Sequence, residues 1–381
     1  MKIPKHKNKK NILINHFYKK NDIKFKKQNN LFIRSKFCLF ILLFILYEFL
    51  NQKNTKQLKI GVIGVIHEIN VGNNLVKFAI SIVLKNLGYI PFIIGTRCNW
   101  CNLSFLNKTT NLIIIKNSFN EIKKDDYDIL MVNSDQTWRK FDEHFLDYGF
   151  LKFAKNWNIT KFIYGASLGY DYWMLSTEDE SIAKELLKNF KGISIREQGS
   201  LDLIKKHFGI IPEIVLDPTL LIEKKYYLNL IKNYKKNKKI NKNYIFVYKI
   251  GHIGLKEIKM YIVKASSELN INIYEYKLEN NKKIEDFIYY LDNCKAVITN
   301  SFHGTIFSII FNKPFISFNW KGSAEERLKS LGKLLGVENR IVSNNQTIDT
   351  KLLTTPLIYN KSILEKFKVK SINFIKKNLY N

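Results

Sequence analysis

Residues 297–315, VITNSFHGTIFSIIFNKPF, put a histidine where a buried strand gives way to a helix. Residues 296–298 are a short apolar run of strand type. Asn300, Ser301 and Gly304 break the run, and a helix of about two turns is expected from residue 305. Pro314 opens the next strand. A helix start of this kind offers N–H groups to an anion, and histidine titrates near working pH. His303 at such a place reads either as an acid–base group or as a simple helix cap.

Four other segments carry polar residues just past apolar runs. They are Asn70, Gly72 and Asn73; Asn133 to Trp138; Arg196, Glu197 and Gln198; and Asp217, Pro218 and Thr219. The carboxyl ends of parallel strands converge on one edge of a sheet, so these groups can meet in one cleft. Each also has a plain reading. Arg196 reads as an ion pair with Glu197 or another carboxylate, Asp135 as an N-cap or turn residue, and Asp217 before Pro218 as a turn residue. Trp138 reads as core or cleft wall rather than as a sugar platform.

The elements that must position these groups alternate. Strands are expected at residues 58–66, 89–94, 112–115, 129–132, 162–164, 192–195 and 213–216, with a polar loop at 67–74 and helices at 75–87, 179–190 and 199–207 between them. Pro91 inside the second run argues for an edge position. A Lys/Asn-rich stretch, 232–243, then reads as a surface connection. A second alternating series runs from 244 to 345, and an amphipathic tail, 346–381, is helical over 362–380. The fold class is α/β, as two Rossmann-like doubly wound domains, 58–231 and 244–345, facing a cleft.

At 381 residues the chain has room for two domains. Its formal net charge of +29 comes with lysines spread along the whole length and no nucleic-acid module, so no nucleic-acid partner is expected. Cys98 and Cys101 form a lone CxxC with no second pair, so no metal site is expected. No complete GxGxxG, Walker A, GxSxG or HExxH sequence occurs. Residues 1–57 are a basic, then apolar, extension. Twelve Lys/Arg against one acidic residue give residues 1–36 a net of +11. The following apolar run, residues 37–47, is short of the roughly 20 residues a membrane span needs. Either it touches an anionic membrane surface, or it packs on the protein, or the start codon has been placed too early.

Together the motifs resemble the polysaccharide pyruvyl transferase family over about residues 58–345. The resemblance rests on N-x-G-N-x-L at Asn70 to Leu75, SDQTW at Ser134 to Trp138, YGASLG at Tyr164 to Gly169, SIRE at Ser194 to Glu197, LDPTLL at Leu216 to Leu221 and NSFHGTIFS at Asn300 to Ser308. Ser323 to Arg327 and Leu331 to Arg340 look like the family's closing helix. Asn133 departs from the glycine common at that place.

The resemblance implies a fold similar to the GT-B glycosyltransferases. It also implies transfer of pyruvate from phosphoenolpyruvate to sugar hydroxyls as a ketal, in cell-surface polysaccharide biosynthesis. No cofactor beyond the donor substrate is implied. The partners are phosphoenolpyruvate and a sugar or glycan acceptor, free or lipid-linked. The location is the cytoplasm, free or peripheral to the inner face of the membrane. In these terms His303 is the general acid, and Asp135 accepts the hydroxyl proton or orients the acceptor. Arg196 makes a bidentate anion contact. Asn300, Ser301, Gly304, Gln136 and Asn73 hold substrate oxygens, with Lys313 and Arg327 as further cations. His252 is a cleft-lining candidate. A nucleotide-sugar glycosyltransferase is the first alternative, and a membrane-associated binding protein the second.

Overall fold

The computed structural model describes residues 57–64, 70–96, 104–115, 118–234, 242–251, 254–277, 283–319, 325–343 and 349–380. The extension up to residue 56, Cys98, Cys101, His252, Ser323 and most of the Lys/Asn-rich stretch lie outside the described residues. Leu58–Asn381 forms one compact unit. No helix among the described residues is long and apolar enough to cross a membrane.

The first sheet has seven parallel strands in the order β3-β2-β1-β4-β5-β6-β7. These are β1 (Lys59–Ile63), β2 (Ile90–Thr96), β3 (Asn111–Ile115), β4 (Ile129–Val132), β5 (Thr160–Ala166), β6 (Gly192–Ile195) and β7 (Glu213–Ile214). Sequences such as KIGVI and ILMV, apolar on both faces, suit strands covered by helices on each side. Pro91 lies in an interior strand, not an edge one. It pairs with Ile60 of β1, while pairing with β3 begins only at Phe92, so its missing N–H costs no ladder bond.

Helix α1 (Val71–Asn86) follows β1 and starts earlier than its apolar spacing suggests. Asn70 is its N-cap, accepting from Asn73 N at 3.3 Å, so the polar Gly72-Asn73-Asn74 stretch is the first turn and not a loop. Nearly every residue of α1 is buried, which fixes it between the strands and the second half of the chain.

The second sheet has five parallel strands in the order β12-β11-β10-β8-β9. They are β8 (Tyr244–Tyr248), β9 (Asn272–Tyr276), β10 (Ala296–Thr299), β11 (Phe315–Phe318) and β12 (Ile341–Val342). Between them run α2 (Leu255–Leu269), α3 (Ile284–Asn293), α4 (Phe302–Ile310) and α5 (Glu325–Leu335). The last helix, α6 (Lys361–Leu379), returns to the first sheet. There Ser371 Oγ accepts from Leu216 N at 2.9 Å and Phe374 packs on Tyr164. One apolar core runs continuously from β1 and α1 through α4 to α6, so the two sheets are held by shared packing. The fold is thus α/β, with two doubly wound parallel units.

Candidate active site

The polar groups gather at the carboxyl ends of β1, β4, β6, β7 and β10. Asp217 lies at the centre. It caps the turn that follows β7, accepting from Thr219 N at 3.0 Å through Oδ1. Its Oδ2 pairs with Arg196 Nη1 and lies 3.5 Å from His303 Nε2. The turn reading of Asp217 is therefore right but incomplete, because the same carboxylate joins residues from both sheets.

Arg196 follows β6, and its side chain is 1% exposed. Its second guanidinium nitrogen lies 3.4 Å from Asp135 Oδ1. Asp135 follows β4 with φ at 143°, a backbone that non-glycine residues rarely adopt. It is held there by a parallel bridge to Ala166 at the end of β5. Its other oxygen accepts from Asn73 Nδ2 at 2.8 Å. The Asn73 carbonyl faces the Lys77 ammonium, which fixes the amide orientation by chemistry: acceptor to cation, donor to carboxylate.

Burial alone would raise both aspartates. For Asp135 the guanidinium of Arg196, then His303 and the Asn73 amide, outweigh burial and hold the carboxyl well below the usual range. For Asp217 the His303 contact and Arg196 do the same. Arg196 shows the mirror effect. Burial opposes its charge, and Asp217 and Asp135 together more than restore it.

For Arg327, on α5, burial and Arg196 oppose the charge, and Asp135, Glu197 and Asp217 favour it without outweighing them. Among the described residues no carboxylate lies within ion-pair distance of it, and its Nε finds no hydrogen-bond partner. It is 8% exposed, and burial together with repulsion from Arg196 pushes its pKa down to about 10. Its guanidinium carbon lies 5.3 Å from the centre of the Phe302 ring, and that of Arg196 lies 5.2 Å from the same ring. A cavity of about 540 Å3 opens here. It is lined by the charged Arg196, Asp217 and Arg327 and by the apolar Val215, Leu220, Phe302, Leu331 and Phe367.

His303 stands in the first turn of α4, which begins at Phe302, three residues earlier than apolar spacing suggests. Ser301 is the N-cap and its Oγ accepts from Gly304 N at 3.2 Å. The Phe302 and His303 N–H groups are left at the open helix end. The ring is 6% exposed, and Nε2 has no hydrogen bond of good geometry, since the 3.5 Å approach to Asp217 is a charge contact. The opposite side of the ring rests on Gly72 in the first turn of α1. A Cβ on Gly72 would stand 2.1 Å from His303 Nδ1.

Asn73, Asp135, Arg196, His303 and Arg327 are thus brought together, with Asp217 added. Other candidates serve elsewhere. Both groups of the Asn300 amide bind the backbone of Ile250, at 2.8 and 2.9 Å, so Asn300 clamps the loop after β8. Ser301 caps, and Gly304 lets α4 approach β10, since a Cβ there would meet Thr299 Oγ1 at 2.3 Å. The Gln136 side-chain carbonyl accepts from Arg139 Nη1 at 2.9 Å, while its backbone N–H donates to Asp135 Oδ1 at 2.9 Å. Lys313 is not a site cation. Its ammonium binds the carbonyls of Asp292 and Cys294, at 2.8 and 2.9 Å, at the opposite, amino end of β10. Trp138 is core, 2% exposed, with Nε1 donating to Gly149 O.

Two parallel sheets with helices between their strands carry this charged cluster at their strand ends. The chain belongs to the polysaccharide pyruvyl transferase family, whose profile matches residues 70–322, well over half its length. A comparison with curated proteins finds no match. Solved structures similar in fold include a UDP-GlcNAc 2-epimerase from Neisseria meningitidis bound to UDP-GlcNAc, at 10% identity and TM-score 0.49, covering 84% of this chain and 99% of that one. A UDP-GlcNAc 2-epimerase from Methanocaldococcus jannaschii aligns at 13% identity and TM-score 0.48, covering 83% and 93%. A glycosyltransferase from Rickettsia africae aligns at 12% identity and TM-score 0.45, covering 85% and 94%.

Proposed function

We propose that the protein transfers pyruvate from phosphoenolpyruvate to two hydroxyls of a sugar acceptor, forming a ketal and releasing phosphate. The observation that carries this reading is Arg327: a buried cation with no carboxylate within ion-pair distance among the described residues, set against the Phe302 ring. A buried charge of that kind is costly until an anion arrives. Phosphoenolpyruvate brings a carboxylate and a phosphate. Arg327 takes one through charge-assisted hydrogen bonds, and the open end of α4 offers N–H groups to the other. Arg196 serves differently from the sequence expectation. Its fork is committed to Asp217 and Asp135, so it holds those carboxylates in place.

In the first step the protonated His303 ring gives its proton to C3 of the enol, which becomes a methyl group, and positive charge develops at C2. The first sugar hydroxyl attacks C2 and its proton returns to His303. Asp135 is held ionised, which makes it a poor base but a good electrostatic partner for the cationic C2 and a good acceptor for an incoming hydroxyl. In the second step the C2–O bond to phosphate breaks. The second hydroxyl bonds to C2 and its proton leaves on the phosphate. On this reading the reaction runs in the cytoplasm, where phosphoenolpyruvate is made.

Thermal-shift titration separates the donors. Phosphoenolpyruvate at about a hundred times its Kd adds roughly 2.7 kcal/mol of stability. A shift with phosphoenolpyruvate that disappears in Arg327→Met supports the reading. A shift only with nucleotide sugars rejects it in favour of glycosyl transfer.

A further inference from the structure

The cavity that Arg327 lines holds about 540 Å3, within the range of roughly 300–1,000 Å3 that drug-sized ligands occupy. Phosphoenolpyruvate, three carbons and a phosphate, is much smaller and almost wholly polar. Neither His303 nor Asp135 lines the cavity, so the acid–base groups do not account for it. On α5, Arg327, Leu331 and Leu334 recur at i, i+4 and i+7, the spacing of one helix face. All three line the cavity. At 1.5 Å per residue the stripe runs about 10 Å, with a cation at one end and leucines beyond it. Val215 and Leu220, which follow β7, and Phe367 of α6 complete the apolar lining.

We propose that this cavity binds a hydrocarbon-bearing anion, with its head on Arg327 and its chain along Leu331 and Leu334, and that this ligand excludes phosphoenolpyruvate. The binding stands on the cavity alone; only the exclusion rests on the pyruvyl transfer reading. Arg327 is 8% exposed and its Nε has no hydrogen-bond partner, so it selects an anionic head. The carboxylates lining the cavity are already paired. Asp217 holds Arg196, and Glu326 lies 3.4 Å from Lys329. The exposed Lys333, another lining residue, adds positive potential. Apolar side chains gain by shedding water against hydrocarbon and gain nothing from a phosphate or carboxylate. A bare anion therefore leaves the leucines wet, and a neutral hydrocarbon leaves Arg327 unpaired. A sugar ring fits less well, because its hydroxyls would lie against side chains that cannot bond them. The stripe of about 10 Å is roughly the length of an extended octyl chain.

The test is titration calorimetry on the full chain with inorganic phosphate and with ethyl, butyl, hexyl and octyl phosphate, all below micelle-forming concentrations. One molecule should bind per chain, roughly three- to fourfold tighter for each methylene buried, with the gain levelling off once the cavity is full. Octanol should bind more weakly than octyl phosphate or octanoate, and the tighter of those two names the head. Arg327→Met should reduce octyl phosphate to the level of octanol. Leu334→Trp, which narrows the cavity at a half-buried position, should remove the methylene gain and leave inorganic phosphate as before. Octyl phosphate should raise the apparent Kd of phosphoenolpyruvate in step with its own occupancy. Equal affinity along the series overturns the proposal. So does octanol binding as tightly as octyl phosphate, a methylene gain retained in Leu334→Trp, or octyl phosphate and phosphoenolpyruvate bound together. A methylene gain with no phosphoenolpyruvate binding leaves the cavity site standing and rejects pyruvyl transfer. Phosphoenolpyruvate binding with no methylene gain does the reverse.

Discussion

Gly72→Ala is the smallest change that should disable the site. The added methyl carbon would lie 2.1 Å from His303 Nδ1, 2.3 Å from Cγ and 2.8 Å from Cβ. Non-bonded heavy atoms rest about 3.5–4.0 Å apart, so the imidazole must retreat by well over an ångström or the two helix starts must separate. A misplacement of about 1 Å in a reacting group costs on the order of a hundredfold in rate, or about 2.7 kcal/mol of barrier. Overpacking adds about 1–3 kcal/mol of lost stability, which thermal unfolding measures separately. In steady-state release of phosphate from phosphoenolpyruvate, kcat should fall about a hundredfold while KM for phosphoenolpyruvate barely moves, because Arg327 is untouched. A folded Gly72→Ala enzyme with unchanged kcat would refute the claim that His303 must rest on α1 to act.

His303→Ala should lower kcat by roughly two to four orders of magnitude while the phosphoenolpyruvate thermal shift persists. Arg327→Met should abolish that shift and leave the unliganded protein at least as stable, since it removes a buried charge with no close carboxylate partner among the described residues; a clear loss of melting temperature would contradict this. Asp217→Asn should destabilise by about 3–5 kcal/mol at neutral pH, because Arg196 loses its closest partner. The pH dependence follows from the lowered Asp135 and Asp217 values. Their stabilisation is full above the ordinary aspartate value of about 3.9 and is lost as pH falls toward the depressed folded values. Melting temperature should therefore drop steeply below about pH 4 in the wild type and less steeply in Asp217→Asn.

Much of this was legible in the sequence because parallel strands are apolar on both faces. Runs such as residues 129–132 and 296–298 stand out, and the polar residues after them mark the edge where the site lies. Helix starts were less legible. Gly72-Asn73-Asn74 and Phe302-His303-Gly304 look like loops by composition, yet the caps Asn70 and Ser301 draw them into first turns. Roles that depend on partners were hidden. Arg196 and Arg327 are alike as letters, and only the packing shows that Arg196 pairs with carboxylates while Arg327 has none within ion-pair distance among the described residues. Asp217 before Pro218 reads as a turn residue, which it is, while its second oxygen joins Arg196 to His303. Lys313 misled by lying near His303 in sequence, since the length of α4 and its return carry it to the other end of the sheet.

In pyruvyl transfer, carbon from phosphoenolpyruvate ends on a sugar. The direct measurement is carbon-13 NMR of glycan acceptors incubated with the full chain and phosphoenolpyruvate labelled at C3. Pyruvyl transfer gives a labelled methyl signal on a ketal carbon, one phosphate released for each ketal, and loss of both in His303→Ala. Phosphate release with no label on the glycan, or hexose transfer from a nucleotide sugar instead, would contradict it.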